Sequence, residues 1–558
     1  MNFPLNLREA VMCGYRILFA LSLSIIAFSS SYSFAQQVAQ IPVGTGQGQL
    51  GLIAAPNEEC RGPVTITAAA SGGLAILDDV NHKILIVTAD RIIQEIRLPE
   101  EFVEPVDFLA TSRGYLVAGM LGQVIVVNPS GEVIARASAA YDPQAGAPRI
   151  IAPSPNEILL ENLQGTRTKV DLNADQVGNF AVAGLATAMR YGPAAIQDNT
   201  AVISSGNVDG PLSEMRVTSQ NRIVSVRPVW VDPGAGALVA VQGALTLPED
   251  RAFVRLVALD AAAQETEEAY VPADSYFCNI RKPFTRLSNG DVVRLKFAEQ
   301  QVSVERLSFM APGTAVLEPI SVSPDRSLIS ETDTIFAELE QLNGTSSISS
   351  IALASVSRQT VLQRARAALE IGWFLAPMNY SHPNVENQCD PIRKLWHRPS
   401  RLDSLKNQVV EAIPYRWGGH FQSLTTFVNH LNAGRLAGDD CTCRNANCVT
   451  PYSTGLDCSG FVSMAWMTDS YFTTVGLPAS NVSSRIRWND LRAGDIANKA
   501  GSHVRLVESI SPGLEGLVIT VLESAANRSC GGVCRRSYAQ AELQNQGYKP
   551  LRRVAITD

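Results

Sequence analysis

Between about residues 62 and 312, short apolar or alternating runs recur between clusters of Gly, Pro, Asn and Asp. Alternation over a few residues buries one face of a strand and the breakers mark turns, so this stretch reads as all-β. One pattern repeats within it. Gly73-Leu74-Ala75-Ile76 precedes Lys83-Ile84-Leu85-Ile86-Val87, and Gly114-Tyr115-Leu116-Val117 precedes Gln123-Val124-Ile125-Val126-Val127. Glu157-Ile158-Leu159-Leu160 then precedes Thr168-Lys169-Val170-Asp171, and a late copy is Gly290-Asp291-Val292-Val293-Arg294-Leu295. The first three copies stand 41 to 43 residues apart. That spacing holds about four short strands, which is one propeller blade. Residues 62–312 then hold about six blades, with five or seven open, and a pair of β-sandwiches is the alternative.

The pattern changes afterwards. Residues 313–355 are rich in Ser and Thr and read as a linker or a closing strand. Val361, Leu362, Ala365, Ala368, Leu369 and Trp373 fall near helical spacing, which predicts a helix over Val356–Ala376 ended by Pro377. A second helix is predicted over Leu402–Ile413, stopped by Pro414. Residues 313–403 thus form a linker and helical connector. Helix-like and strand-like runs mix in the remainder, as in a compact α+β domain.

The 558 residues are too many for one ordinary domain, and 46% hydrophobic content rules out disorder throughout. A net charge of −7 argues against a nucleic-acid partner. Arg8 and Arg16 precede an apolar run from Ile17 to Phe28, and Ser33-Phe34-Ala35 supplies small residues before Gln36. This predicts a secretory signal peptide over residues 1–35, followed by an N-terminal segment, 36–61. The run is short of the ~20 residues that span a bilayer, though an uncut anchor is the alternative reading. No other segment reaches that length without charge, so no stable membrane span is expected after signal removal. The protein is expected to be exported, to a periplasm, an envelope or the exterior. Without residues 1–35 the balance is 44 basic against 52 acidic residues, divided as −11 over 36–403 and +3 over 404–558. A mildly basic C-terminal region suits an anionic polymer.

Seven of the ten cysteines lie beyond residue 380. Cys458 stands in Gly455-Leu456-Asp457-Cys458-Ser459-Gly460-Phe461-Val462, and Phe461, Val462, Ala465 and Trp466 continue at helical spacing. Cys458 is therefore predicted at the start of a helix, where the dipole and free N–H groups favour the reactive thiolate. The competing reading is a disulfide cysteine, the default in an exported chain. Arg492-Ala493-Gly494-Asp495-Ile496 reads as a turn into a strand, and Ser502-His503-Val504-Arg505-Leu506-Val507 puts a histidine at the head of an apolar strand. A helix cysteine and a strand histidine are the parts of a thiol–imidazole pair. Pro414-Tyr415-Arg416-Trp417-Gly418-Gly419 lies upstream.

Taken in order, Tyr-x-Trp-Gly-Gly, Asp-Cys-Ser-Gly-Phe-Val and Gly-Asp with a following His-Val resemble the NlpC-type, papain-like cysteine peptidases of bacterial cell walls. The resemblance covers residues 404–558 and implies an α+β papain-like domain behind the propeller-like one. It implies Cys458 as nucleophile, His503 as general base and a polar third residue on the next strand. That strand is Leu517–Leu522, which makes Glu523 the candidate, with Asn527 and then Glu508 behind it. A carboxylate there would fix the imidazole tautomer and stabilise imidazolium. The family often has His at this place, and the loop Ser509–Gly516 lengthens the spacing from His503. By the same resemblance Tyr415 would sit near the thiolate and serve substrate binding or the oxyanion site. Asp457 and Ser459 would hold the amino group of a stem peptide, and Trp417 would line the substrate site. The Cys458 N–H is a natural oxyanion donor. His420 carries no assignment.

Apart from Cys13 and Cys458, eight cysteines allow up to four disulfides in 105 pairings. Cys441, Cys443 and Cys448 share one polar loop and Cys530 and Cys534 another, both expected to staple the cleft rims; Cys389 lies between the predicted helices. Cys60 and Cys278 bracket the β region and are expected to close it. Zinc would need a fourth ligand beside Cys441, Cys443 and Cys448, so no metal and no cofactor is expected. The function implied is an exported thiol protease cutting amide bonds in peptidoglycan stem peptides, its propeller binding substrate or a protein partner. The alternatives are a propeller-based binding protein with a degenerate hydrolase domain, and a thiol hydrolase or acyltransferase with another substrate.

Overall fold

The computed structural model describes residues 36–558 except 55–57, 89–90, 155–156, 173, 179–188, 192–193, 208–212, 233–234, 245–251, 272–277, 279, 299, 314–352, 384, 386–395, 442–449 and 469. The expected signal peptide, most of the Ser/Thr-rich stretch, and Cys389, Cys443 and Cys448 lie outside the described residues.

The repeated apolar runs are strands buried on both faces, because each sheet packs between two others. Leu77, Ile84 and Ile86 meet Phe108 and Val117 of the next sheet, while Ile76 and Leu85 meet Val293 and Leu295 of the last. Six antiparallel sheets follow one another. The first is Pro63–Ala68, Leu74–Asp78, Lys83–Val87 and Ile92–Arg97. The second is Pro105–Thr111, Gly114–Gly119, Gln123–Val127 and Val133–Ser138, and the third Arg149–Ser154, Glu157–Glu161 and Arg167–Val170. The fourth is built on Thr200–Asn207, with Met189–Tyr191 and Ala195–Gln197 on one edge and Ser213–Thr218 on the other. Arg222–Asp232, Gly236–Ala244, Ala252–Leu259 and Glu265–Tyr270 form the fifth. The sixth is Phe284–Arg286, Val292–Ala298 and Gln301–Arg306, completed by Gln36–Pro42 from the opposite end of the region. Among the described residues this is a propeller-like ring of six blades, and the repeats read from the sequence fall on the second and third strands of their blades.

The ring closes through its N-terminus. Gln36–Pro42 runs antiparallel to Gln301–Arg306, from Gln36↔Arg306 to Pro42↔Gln301. Part of the segment 36–61, expected to precede the β region, is therefore its last strand. Cys60 and Cys278 form the expected disulfide, but the closing element is this strand. Buried charge links blades: Asp107 accepts from the Ile150 N–H at 2.8 Å and pairs with Lys282 at 2.6 Å.

The connector differs from its prediction. The first helix is Arg358–Glu370, capped by the Ser357 hydroxyl accepting from the Thr360 N–H. The chain leaves it at Ile371, and Gly372–Phe374 pairs with Val409–Glu411. Pro377 does not end that helix; it opens the short helix Pro377–Tyr380, where its missing N–H costs nothing. The predicted helix over Leu402–Ile413 is absent. That stretch is a 3₁₀ turn, Ser400–Leu402, and the strand Val409–Glu411, with Asn407 and Ala412 at φ of 61° and 63°. Two left-handed residues cannot sit in an α-helix. Leu402, Val410 and Ile413 are buried from a turn and a strand, and their spacing imitated a helix.

The remainder holds a six-stranded antiparallel sheet in the order Ser483–Arg485, Lys549–Arg553, Ile496–Lys499, His503–Pro512, Leu517–Ala525, Gly532–Ala539. Helix Cys458–Ala465 packs on it, sandwiched by helix Arg358–Glu370, so every residue of Cys458–Ala465 is buried. The lengthening between His503 and Glu523 is a hairpin rather than a loose loop: after a bulge at Val507/Ser509 the strands pair out to Pro512↔Leu517. Its tip docks into the propeller. The Leu514 N–H donates to the Leu163 carbonyl at 2.9 Å, the Val226 N–H to the Glu515 carbonyl at 3.1 Å, and Arg149 pairs with Glu515 at 3.2 Å. No helix among the described residues is long and apolar enough to cross a membrane.

Candidate active site

Cys458 is the first residue of its helix, and Asp457 is the cap, its Oδ1 accepting the Gly460 N–H at 2.6 Å. The glycines around it answer to close packing. A Cβ on Gly460 would meet the Gly419 carbonyl oxygen at 2.1 Å, and one on Gly419 would meet the Gly455 carbonyl oxygen at 2.5 Å. Gly418 has a φ of 67°. The Gly-Gly pair is what lets the Tyr415 segment lie against the start of the Cys458 helix, where the Asp457 N–H donates to the Gly419 carbonyl at 2.9 Å.

His503 opens its strand as predicted, and its Nε2 lies 2.7 Å from Glu523 Oε2. A carboxylate only accepts, so Nε2 carries the hydrogen and Nδ1 is left for the thiol side. The other Glu523 oxygen accepts from the Tyr538 hydroxyl at 2.7 Å, and Arg505 Nε stands 3.0 Å from Oε2. Of the three candidates for the third position only Glu523 meets His503. Asn527 accepts from the Cys530 N–H and Arg536, and Glu508 pairs with Arg366 and Arg535. The Val504 N–H, one residue past His503, donates to the Cys458 sulfur. The Ser524 hydroxyl, one residue past Glu523, donates to the Leu456 carbonyl at 2.7 Å. Helix start and both strands are thus joined at one point.

The charges here are set by burial. Burial would raise the Glu523 carboxyl, but Arg505, His503 and Arg536 outweigh it and hold it well below the usual carboxylate range. Burial pushes the Cys458 thiol up, Asp457 adds to this, and the N–H groups of Val504, Ser459 and Cys458 oppose it. The expected thiolate preference of the helix start is thus outweighed by burial. Asp457 is pushed up to about 6 by burial, against the hydrogen bonds from Gly460, Tyr471 and Ser459.

Tyr415 is buried, with no hydrogen-bond partner for its hydroxyl among the described residues. It lines a small cavity with His503, Ala525, Ala526, Asn527 and three residues from the propeller side, Glu58, Glu59 and Arg61. The other three predicted contacts do not line it. Trp417 is buried in the core. Asp457 Oδ2 accepts from the Tyr471 hydroxyl at 2.8 Å, and Ser459 lies 3.0 Å from that hydroxyl. His420 stacks on Tyr471 with ring centroids 4.5 Å apart.

Sequence reasoning missed Arg505, Tyr538, Tyr471 and the Glu58–Arg61 segment. Arg505 was within reach, since two residues past His503 on a strand is the same face. Glu58 comes from a distant part of the chain, and Tyr471 and Tyr538, 14 residues past Asp457 and 15 past Glu523, left no local pattern. Among the described residues the disulfides are Cys60–Cys278 and Cys530–Cys534, Cys441 is also disulfide-bonded, and Cys458 keeps its thiol outside any disulfide.

No protein-family model matches the chain, and no curated protein matches it. Solved structures similar to part of it include a streptogramin B lyase, at 14% identity over 47% of this chain and 97% of that one, with a TM-score of 0.27. BamB from Moraxella catarrhalis shares 11% identity over 49% of this chain and 98% of that one, TM-score 0.24. The WD40 β-propeller domain of Doa1 shares 11% over 51% of this chain and 100% of that one, TM-score 0.23. The propeller-like assignment rests on the sheet order and closure described above.

Proposed function

We propose that the protein is an exported cysteine hydrolase, with an α+β papain-like C-terminal domain, that cleaves amide bonds in peptidoglycan stem peptides. The observation that carries this is the 2.7 Å contact of His503 with Glu523, on strands joined to the start of the Cys458 helix. In this reading Cys458 loses its proton to His503, the sulfur attacks the amide carbonyl, and the imidazolium gives the proton to the leaving amine. Water then hydrolyses the thioester, with His503 again as base. Glu523 holds the tautomer and stabilises the imidazolium. The unpartnered Tyr415 hydroxyl and the Cys458 N–H are available to the oxyanion. Burial pushes the Cys458 thiol up, so in this reading the proton passes to His503 as part of the attack on substrate. Asp457 and Ser459 as holders of a substrate amino group would require Tyr471 to yield its hydrogen bonds. Export is supported by the disulfides, which suit an oxidising compartment. The propeller's part is to bind the polymer or a protein partner.

The test is to incubate the purified protein and Cys458→Ala with peptidoglycan fragments and follow new peptides by mass. Products that depend on Cys458 are expected, and none would sink the reading. A second reading, a binding protein with a silent hydrolase domain, is favoured by the raised thiol and the small cavity. It predicts peptidoglycan binding that is equal in both proteins, without product.

A further inference from the structure

The catalytic reading leaves an unexplained obstruction. Cys458 is wholly buried and His503 is 2% exposed. The cavity beside His503 and Tyr415 is about 10 Å³, the space one water takes, whereas ligand sites run to roughly 300–1,000 Å³. Three of its eight lining residues, Glu58, Glu59 and Arg61, come from the segment that leads into the first blade.

That segment is held from both sides. Toward the cleft, the Ser502 hydroxyl donates to the Glu58 carbonyl at 2.9 Å, one residue before His503. Glu59 pairs with Arg505, the guanidinium that also stands beside Glu523. Toward the propeller, Cys60 is bonded to Cys278, Arg61 pairs with Asp79 at 2.8 Å, and Arg61 and Ile53 exchange both backbone hydrogen bonds.

We propose that Glu58–Arg61 is a propeller-anchored strap that closes the cleft of the C-terminal domain and must move aside before a peptide reaches Cys458. This rests on the reading of Cys458 as the nucleophile. The propeller then governs access as well as binding, since a ligand that draws the strap toward the ring would open the thiol. Arg505 is the shared element: Glu59 holds it when the strap is down, and Glu523 keeps it when the strap lifts.

The test is the rate at which iodoacetamide alkylates Cys458 in the folded full-length protein without reductant, read by peptide mass. Two strap variants are compared with it, Cys60→Ser/Cys278→Ser and Glu58→Gly/Glu59→Gly, each checked for a cooperative melt. Both are expected to label about tenfold faster or more, since a buried thiol reacts only through opening. Native labelling as fast as in the variants, or variants as slow as the native chain, overturns the strap. If the disulfide variant fails to fold, the glutamate variant decides. Labelling needs no turnover, so the two readings fail separately: strap variants that open the thiol yet release no stem peptide would leave the strap standing and sink the hydrolase.

Discussion

His503 and Glu523 face each other across neighbouring strands, with Nε2 and Oε2 2.7 Å apart and both side chains buried. The register Leu506↔Leu522, continued by one residue, sets Arg505 opposite Glu523 and His503 on the diagonal beside it. If this pair orients the base, Glu523→Ala should lower Cys458-dependent turnover by about 10²-fold or more. Asn527→Ala should change it little, since Asn527 is occupied by Cys530 and Arg536. Rates on defined stem peptides check this, and equal effects would remove Glu523 from the triad.

Arg505 lies between the Tyr538 and Tyr548 rings, 4.2 and 4.5 Å from their centroids, and serves two carboxylates. Arg505→Met leaves the buried Glu523 carboxylate without this cation, so it should cost about 3–5 kcal/mol in urea unfolding. With that cation gone the Glu523 carboxyl should titrate higher, and the acid limb of the pH–rate profile should move up. A variant as stable as the native protein would show that the ion pair contributes nothing net.

Asp457 gives a pH signature. Burial raises its carboxyl from 3.8 to about 6, so the folded state binds the proton more tightly than the unfolded chain does. Its contribution to stability is complete below 3.8 and is lost as pH rises through about 6. Asp457→Asn removes the titration, so that variant should gain on the native protein between pH 4 and 7, on the order of 3 kcal/mol. Urea unfolding of both at each pH measures the difference, and one that stays constant would contradict it.

Ring closure predicts an asymmetry within one strand. Ile41 is fully buried against Val302 and Val304, whereas Gln40 is exposed. Ile41→Ala should destabilise the propeller by about 2–5 kcal/mol. Gln40→Ala should stay within about 0.5 kcal/mol. Thermal or urea unfolding separates them, and similar small effects would mean that the N-terminal strand does not hold the ring.

Much of the candidate site was legible because its parts are local. Asp-Cys-Ser-Gly before a run at helical spacing places Cys458 at a helix start, and Ser-His-Val before an apolar run places His503 at a strand start. Glu523 was reachable by counting to the end of the next strand. Tyr471 and Tyr538 were not, since they arrive from elements whose positions only packing sets. The predicted helix over 402–413 failed for the converse reason: a turn and a strand that bury Leu402, Val410 and Ile413 leave the same apolar spacing as a helix.

By itself the sequence determined what depends on neighbouring residues: strand periodicity, the blade repeat, the helix start at Cys458 and the strand start at His503. The tertiary structure decided what depends on residues far apart in the chain. It put Gln36–Pro42 on the last blade, Arg505 between Glu59 and Glu523, and Glu58–Arg61 over the cleft. All but the Arg505–Glu523 contact join residues separated by hundreds of positions, and a local pattern of polar and apolar residues carries no information about which distant partner meets it. Burial followed from the same packing, and with it the upward push on the Cys458 thiol that opposes the lowering a helix start favours.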